Sequence, residues 1–158
     1  MAGSLAAAGV GLFARQTITS LVDDQGAVTA GYWTAILWKT LMGDEVFRAS
    51  SSSDRLRVYA HGSTNSDSKN LTALLINTDS APLTTTVLPA TEFGICKEQA
   101  AFHVTAGPAA GVLINGERPA FASAQSAKLP TFLPEKSSCG EALTVAAHSF
   151  SFLRVSFF

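Results

Sequence analysis

Twelve carboxylates, three histidines and two cysteines are the residues of this chain whose types suggest chemistry. Two carboxyl groups facing each other across an acetal carbon can donate a proton on one side and attack, or activate water, on the other. The acids here are Asp23, Asp24, Asp44, Glu45, Asp54, Asp67, Asp79, Glu92, Glu98, Glu117, Glu135 and Glu141. They fall in polar, turn-like stretches rather than at the ends of apolar runs, where burial would raise a carboxyl pKa. The sequence therefore reads them as solvated turn residues and offers no catalytic pair. His61, His103 and His148 are far apart and lack the paired spacing of a zinc site, so no metal is expected; each reads as a partly buried strand residue. No nucleophile-elbow motif marks a serine, so no Ser-His-Asp triad is assigned. No glycine-rich phosphate loop is present, and no cofactor is implied.

Cys96 and Cys139 permit one disulfide or two buried thiols, and the sequence leaves both open. If paired, they would stabilise the fold by roughly 3–4 kcal/mol in the loop-entropy treatment. Asn70-Leu71-Thr72 is an N-glycosylation sequon, compatible with secretion. Tyr32, Trp33 and Trp38 could stack on sugars, but their helical spacing favours core packing.

The elements that must position these groups come from a chain of 158 residues, 47% hydrophobic and 15% charged, with a formal net charge of -1. That is one globular domain, or one domain with a remnant of another. The charge balance gives no attraction for nucleic acid or an anionic membrane, and no Lys/Arg run offers a polyanion patch. No stretch approaches the ~20 apolar residues of a membrane span. The N-terminus, MAGSLAAAGVGLF, is apolar but lacks the basic start of a signal peptide, which leads us to expect that an N-terminal part precedes this segment.

Residues 10–20 read as a strand, and Asp23-Asp24-Gln25-Gly26 as a turn. Trp33, Ile36, Leu37 and Leu41 recur at spacings of three and four and predict a helix, which Trp38 and Met42 widen into one buried on more than one side. Thr29 suits its N-cap, and Gly43 suits a left-handed end. Beyond Gly43 the pattern changes to short apolar runs with Ser-, Thr-, Gly- and Pro-rich connections. Runs at 46–50, 56–61, 71–76, 84–88, 101–105 and 112–114 read as strands, with a serine loop at 50–54, a polar loop at 62–69 and a tight turn at Asn115-Gly116. In the last run, Phe150 and Phe152 share one face while Leu153, Val155 and Phe157 take the other, which predicts either a β-bulge between Phe152 and Leu153 or a strand that changes its burial side there. The fold class expected is mainly β: an antiparallel β-sandwich preceded by one strand and one helix.

Ordered blocks of the chain resemble a known family. Phe13-Ala14-Arg15-Gln16-Thr17 is followed by Gly31-Tyr32-Trp33-Thr34-Ala35-Ile36-Leu37-Trp38-Lys39-Thr40-Leu41-Met42-Gly43. Then come Arg57-Val58-Tyr59-Ala60-His61, Thr64-Asn65, Leu74-Leu75-Ile76-Asn77, Val112-Leu113-Ile114-Asn115-Gly116 and Ser149-Phe150-Ser151-Phe152-Leu153-Arg154. In this order they resemble the C-terminal region of the heparanase-like glycoside hydrolases, family seventy-nine. Residues 88–111 match poorly.

The resemblance implies a parent with a (β/α)8 barrel and a C-terminal β-sandwich, a retaining enzyme that cleaves β-linked glucuronic acid residues in glycans or proteoglycans. Residues 1–43 would be the last barrel strand and helix, and residues 44–158 the sandwich. The partners would be the rest of the barrel and the parent's glycan. The parent would be secreted, extracellular or lysosomal. Both catalytic glutamates of the family lie upstream of the matching region, so no catalytic residue is expected in this chain. The Gly-Asn-Tyr-type loop that lines the family's cleft is shortened away between residues 17 and 22, so no substrate-binding residue is carried over. The alternative is a free-standing carbohydrate-binding β-sandwich module, which would need exposed aromatics on a sheet face. A barrel helix without its barrel is also expected to leave an apolar face uncovered, making the isolated segment sticky.

Overall fold

Short β-branched and aromatic runs separated by turn residues have one economical way to bury themselves, which is to pair as antiparallel strands. The computed structural model describes residue 8 and residues 21–25, 28–63, 69–108, 111–121 and 130–158. The expected strand at 10–20, Gly26 and the Thr64-Asn65 turn lie outside these residues. The described chain is mainly β, with antiparallel sheets and one α-helix. The helix α1 is Ala30–Leu41. The strands are β1 (Glu45–Phe47), β2 (Leu56–Ser63), β3 (Asn70–Asn77), β4 (Leu83–Thr85), β5 (Cys96–Ala106), β6 (Val112–Ile114), β7 (Glu135–Ser137), β8 (Leu143–Val145) and β9 (Phe150–Phe157). A seven-stranded sheet runs β1-β2-β3-β9-β5-β6, with β7 also on β5, and β4 and β8 form a second sheet.

The large sheet is covered on both sides. On one face, Leu71, Ala73, Leu75, Leu153, Val155 and Phe157 join Phe93 and the second sheet's Leu143 and Val145. On the other, Leu74, Phe102, Val104, Ile114 and Phe152 meet α1 through Trp33, Ile36, Leu37 and Leu41. This two-sided burial explains β9. Its pairing with β3 runs unbroken from Phe150 to Ser156, so the bulge expected between Phe152 and Leu153 does not exist. The hydrophobic pattern slips there because both faces are dry, which removes the alternation expected of a half-solvated strand. The register shift lies instead in β5, between Cys96 and Glu98.

The second sheet is fastened by Asn77, which is 2% exposed. Its Nδ2 donates to the carbonyls of Val145, Ala146 and Ala81 at 3.1, 2.9 and 2.9 Å. Its Oδ1 accepts from the Asp79 N–H at 2.8 Å. Asn77→Ala would strand these buried groups, and chemical denaturation should show a loss of roughly 2–3 kcal/mol. Asn70→Ala, at the half-exposed opposite end of the same strand, should cost well under that.

Both ends of α1 differ from expectation. Thr29 occupies the N-cap without a side-chain capping bond. Gly43 does not have positive φ; Met42 ends the helix in an extended conformation. Gly43 is required for space, because a Cβ there would collide with the Gly62 backbone in β2. The sheet itself caps the helix: the Thr72 hydroxyl donates to Leu41 O at 2.7 Å, and His61 Nδ1 sits 3.1 Å from Gly43 O. A carbonyl only accepts, so His61 carries its proton on Nδ1. Gly62 and Ser63, expected in a loop, are the end of β2. The helix leaves no broad apolar face: Ala30, Ala35, Lys39 and Thr40 point outward. The exposed large hydrophobics are elsewhere, among them Leu88, Ile95, Leu133 and Phe158.

Candidate functional site

The carboxylates are where polar turns and edges put them. Asp67 lies outside the described residues; the others are exposed except Asp79, which is half-buried. Asp79 Oδ1 accepts from the Ala81 N–H at 3.3 Å and shapes the turn after β3. Asp23 accepts from the Gln25 N–H and Glu141 from the Ser138 N–H, both at 3.0 Å. Glu98 pairs with Lys136 at 3.1 Å. Among the described residues, no three His, Cys, Asp or Glu side chains converge as metal ligands would.

The three histidines have separate tasks. His61, 6% exposed, caps α1 and meets Trp38 edge-on, ring centroids 5.2 Å apart. His148 is not a strand residue; it is an exposed turn residue with φ 47°. His103 joins three strands. Its Nδ1 lies 2.9 Å from Ser151 Oγ on β9, and its Nε2 lies 3.7 Å from Glu135 Oε2 on β7. Serine, histidine and carboxylate in a line resemble a hydrolytic triad, but access is lacking. Ser151 is 1% exposed in the middle of the sheet, and a nucleophile must meet its substrate. The line is a cross-strand tie.

Two clefts stand out on the surface of the described residues. One, about 510 Å³, has an apolar floor of Leu56, Val58, Ala60, Leu71, Ala73 and Leu75 from β2 and β3. The other, about 550 Å³, lies between the β6 turn and residues 130–135 and is lined by Asn115, Glu117, Arg118, Phe132 and Glu135. The second is the candidate site, since it combines two carboxylates, a guanidinium and an amide with an aromatic ring. Its turn is Asn115-Gly116, as the sequence predicts, and both residues have positive φ, 50° and 80°. The Asn115 side chain anchors the wall: Oδ1 accepts from the His103 N–H at 2.6 Å, and Nδ2 donates to Leu133 O at 2.8 Å and Ala101 O at 3.2 Å. The sequence shows that dipeptide as a turn but not its side-chain role, because Leu133 and Ala101 are distant in the chain.

Glu117 is exposed, and the Glu135 side chain is 70% exposed. Such groups can bind a polar ligand; among the described residues both stand open to solvent rather than in the apolar pocket of a general acid. Trp33, 4% exposed, packs as core, while Tyr32 and Trp38 are half-buried. Cys96 and Cys139 are joined by a disulfide, with Cα atoms 6.0 Å apart. Asn70 is half-exposed at the start of β3, whereas Thr72 of its sequon is fully buried.

No family profile and no curated protein sequence matches this chain. Solved structures do. The glycoside hydrolase BuGH86, crystallised with neoagarooctaose, superposes with a TM-score of 0.58 at 10% identity, over 83% of this chain and 18% of that one. A β-porphyranase of glycoside hydrolase family 86 from the human gut bacterium Bacteroides plebeius gives 0.56 at 15% identity, over 83% and 19%. Xyn30A, a family 30 subfamily 8 xylanase from Clostridium acetobutylicum, gives 0.55 at 11%, over 86% and 30%. The chain thus spans less than a third of each neighbour. At these identities the likeness is one of fold: this β domain has the architecture of a part of larger glycoside hydrolases. The neighbours belong to families 86 and 30, and the heparanase-like family is not specified by them.

Proposed function

We propose that this chain is the non-catalytic C-terminal portion of a heparanase-like retaining β-glucuronidase acting on glycans or proteoglycans. Residues 1–43 would close the (β/α)8 barrel and residues 44–158 form the β-sandwich that braces it. The observation that carries the reading is the helix-to-sheet joint. Trp33, Ile36, Leu37 and Leu41 bury one helical face on the sheet, and Thr72 and His61 hold the helix end. A helix welded to a sandwich in this way transmits the sandwich's rigidity to whatever the helix joins. The glycoside hydrolase likeness of the fold and the ordered sequence blocks support the same parent. The scattered, solvent-facing acids support placing the proton donor and nucleophile on another part of that parent.

A secreted or lysosomal location accords with the disulfide, which persists in oxidising compartments. No described helix is long and apolar enough to cross a membrane. Glycosylation at Asn70 belongs to the same reading. Because Thr72 is buried in the folded sheet, the sequon would be modified before β3 docks, and mass spectrometry of secreted protein should find the glycan.

The transcript immediately upstream of Met1 tests the proposal. It should encode, in frame, a barrel with two glutamates at strand ends. An in-frame stop codon directly before Met1 would defeat it.

A further inference from the structure

The seven-stranded sheet faces a sheet of only two strands. Strands lie about 4.8 Å apart, so two cannot cover the width of seven. The second sheet and Phe93 seal part of the face away from α1. Over β2 and β3 the cover is two stretches of chain, residues 48–52 and 85–93, and both line the cleft of about 510 Å³. That volume suits a small molecule, whose sites run to about 300–1,000 Å³. In its floor β2 and β3 set a cross-strand pair of alanines, Ala60 opposite Ala73. Leu56, Leu71 and Leu75 beside the pair are 5%, 5% and 1% exposed, so only a narrow body reaches the bottom. The walls are more open. Leu88 stands on one of them 83% exposed, next to half-buried Val87 and Pro89. Ser50, Ser52 and Thr86 are exposed on the rim, and no hydrogen bond among the described residues engages their hydroxyls. The rim also holds Arg48 and Glu92, neither of them in an ion pair among the described residues.

We propose that this cleft binds an amphipathic small molecule, one with an alkyl tail and an uncharged, hydroxyl-rich head. The tail fits because the slot is aliphatic at its bottom and Leu88 has apolar surface left to bury. The head fits because its hydroxyls both donate and accept, as those of Ser50, Ser52 and Thr86 do. An anionic head would meet Glu92 and a cationic one Arg48. The two rim charges cancel, so neither kind of ion gains a net attraction. The cleft opens on the face away from α1, and the inference stands whether or not the parent is a heparanase-like enzyme.

The probe is octyl β-glucoside, kept below its micellar concentration and added to the full chain while backbone amide shifts are read by NMR. Saturable shifts should centre on Val58 and Val87. Glucose, which lacks the tail, and octanoate, which exchanges the head for a charge, should bind at least about tenfold more weakly. Leu88→Ser, at an exposed position outside the core, should weaken the glucoside about fivefold or more. Leu133→Ser, 80% exposed beside the other cleft, should leave it unchanged. The proposal is overturned if no saturable shifts appear, if they centre elsewhere, or if the two variants weaken binding equally. Octanoate or glucose binding as tightly as the glucoside would overturn it too, since the site would then recognise one end of the molecule only.

Discussion

Phe152→Ala should lower the free energy of unfolding by about 3–5 kcal/mol. Phe152 is 0% exposed at the centre of β9, opposite Leu74 on β3 and Phe102 on β5. It sits in the same cluster as the helix residues Trp33 and Leu37. Removing its ring opens a cavity where three strands and the helix meet, and neither neighbouring strand can close in without breaking its register. A domain of ordinary stability, about 5–15 kcal/mol, would lose a large part of its margin. Phe158→Ala is the control: Phe158 is 77% exposed, and its removal should change stability by less than about 0.5 kcal/mol. Equal effects in urea denaturation would mean that the helix-side layer is not packed as described.

Breaking the disulfide should be comparably severe. Cys96 and Cys139 are separated by 43 residues, and the loop-entropy treatment assigns such a cross-link about 4 kcal/mol. For a chain of this size that corresponds to roughly 8–16 °C in melting temperature. The bond fixes the start of β5, beside its register shift, to the turn before β8. Gln99 makes a second tie nearby, donating to Ser137 Oγ and Glu141 O at 3.0 Å each, so the segment should stay attached after reduction while the whole domain loses stability. Calorimetry of Cys139→Ser, and of the natural chain with and without reductant, should give matching lowered transitions. A natural chain indifferent to reductant would show that the two thiols are unpaired.

The parts of the fold legible in the sequence are those with a single buried face or a continuous apolar run. The spacing of Trp33, Ile36, Leu37 and Leu41 marks α1 because only one side of that helix is buried. Leu71 to Ile76 marks β3 because a central strand needs apolar residues throughout. The same two-sided burial misleads in β9, where losing alternation looks like a bulge. β7, Glu-Lys-Ser, carries no apolar pattern because it is an exposed strand at the margin of the sheet, held by backbone pairing to β5. Gly43 shows how one residue type serves two ends. Sequence suggests a left-handed cap, whereas the structure uses the missing Cβ to let α1 approach β2.

The candidate cleft was legible only at its turn. Asn115-Gly116 announces positive φ, but the facing wall comes from residues 130–135, and no local signal joins the two. Asn77 was hidden for the same reason. An asparagine that ties two sheets looks ordinary until the strands are aligned.

Turnover of an aryl β-glucuronide by the purified chain, compared with the same residues preceded by the barrel we propose for the parent, tests the division of labour most directly. The chain alone should give only the rate of buffer, and the longer polypeptide should hydrolyse the substrate with retention of configuration. Activity of the chain alone, abolished by Glu117→Gln or Glu135→Gln in the cleft beside the β6 turn, would place the chemistry here and contradict the account.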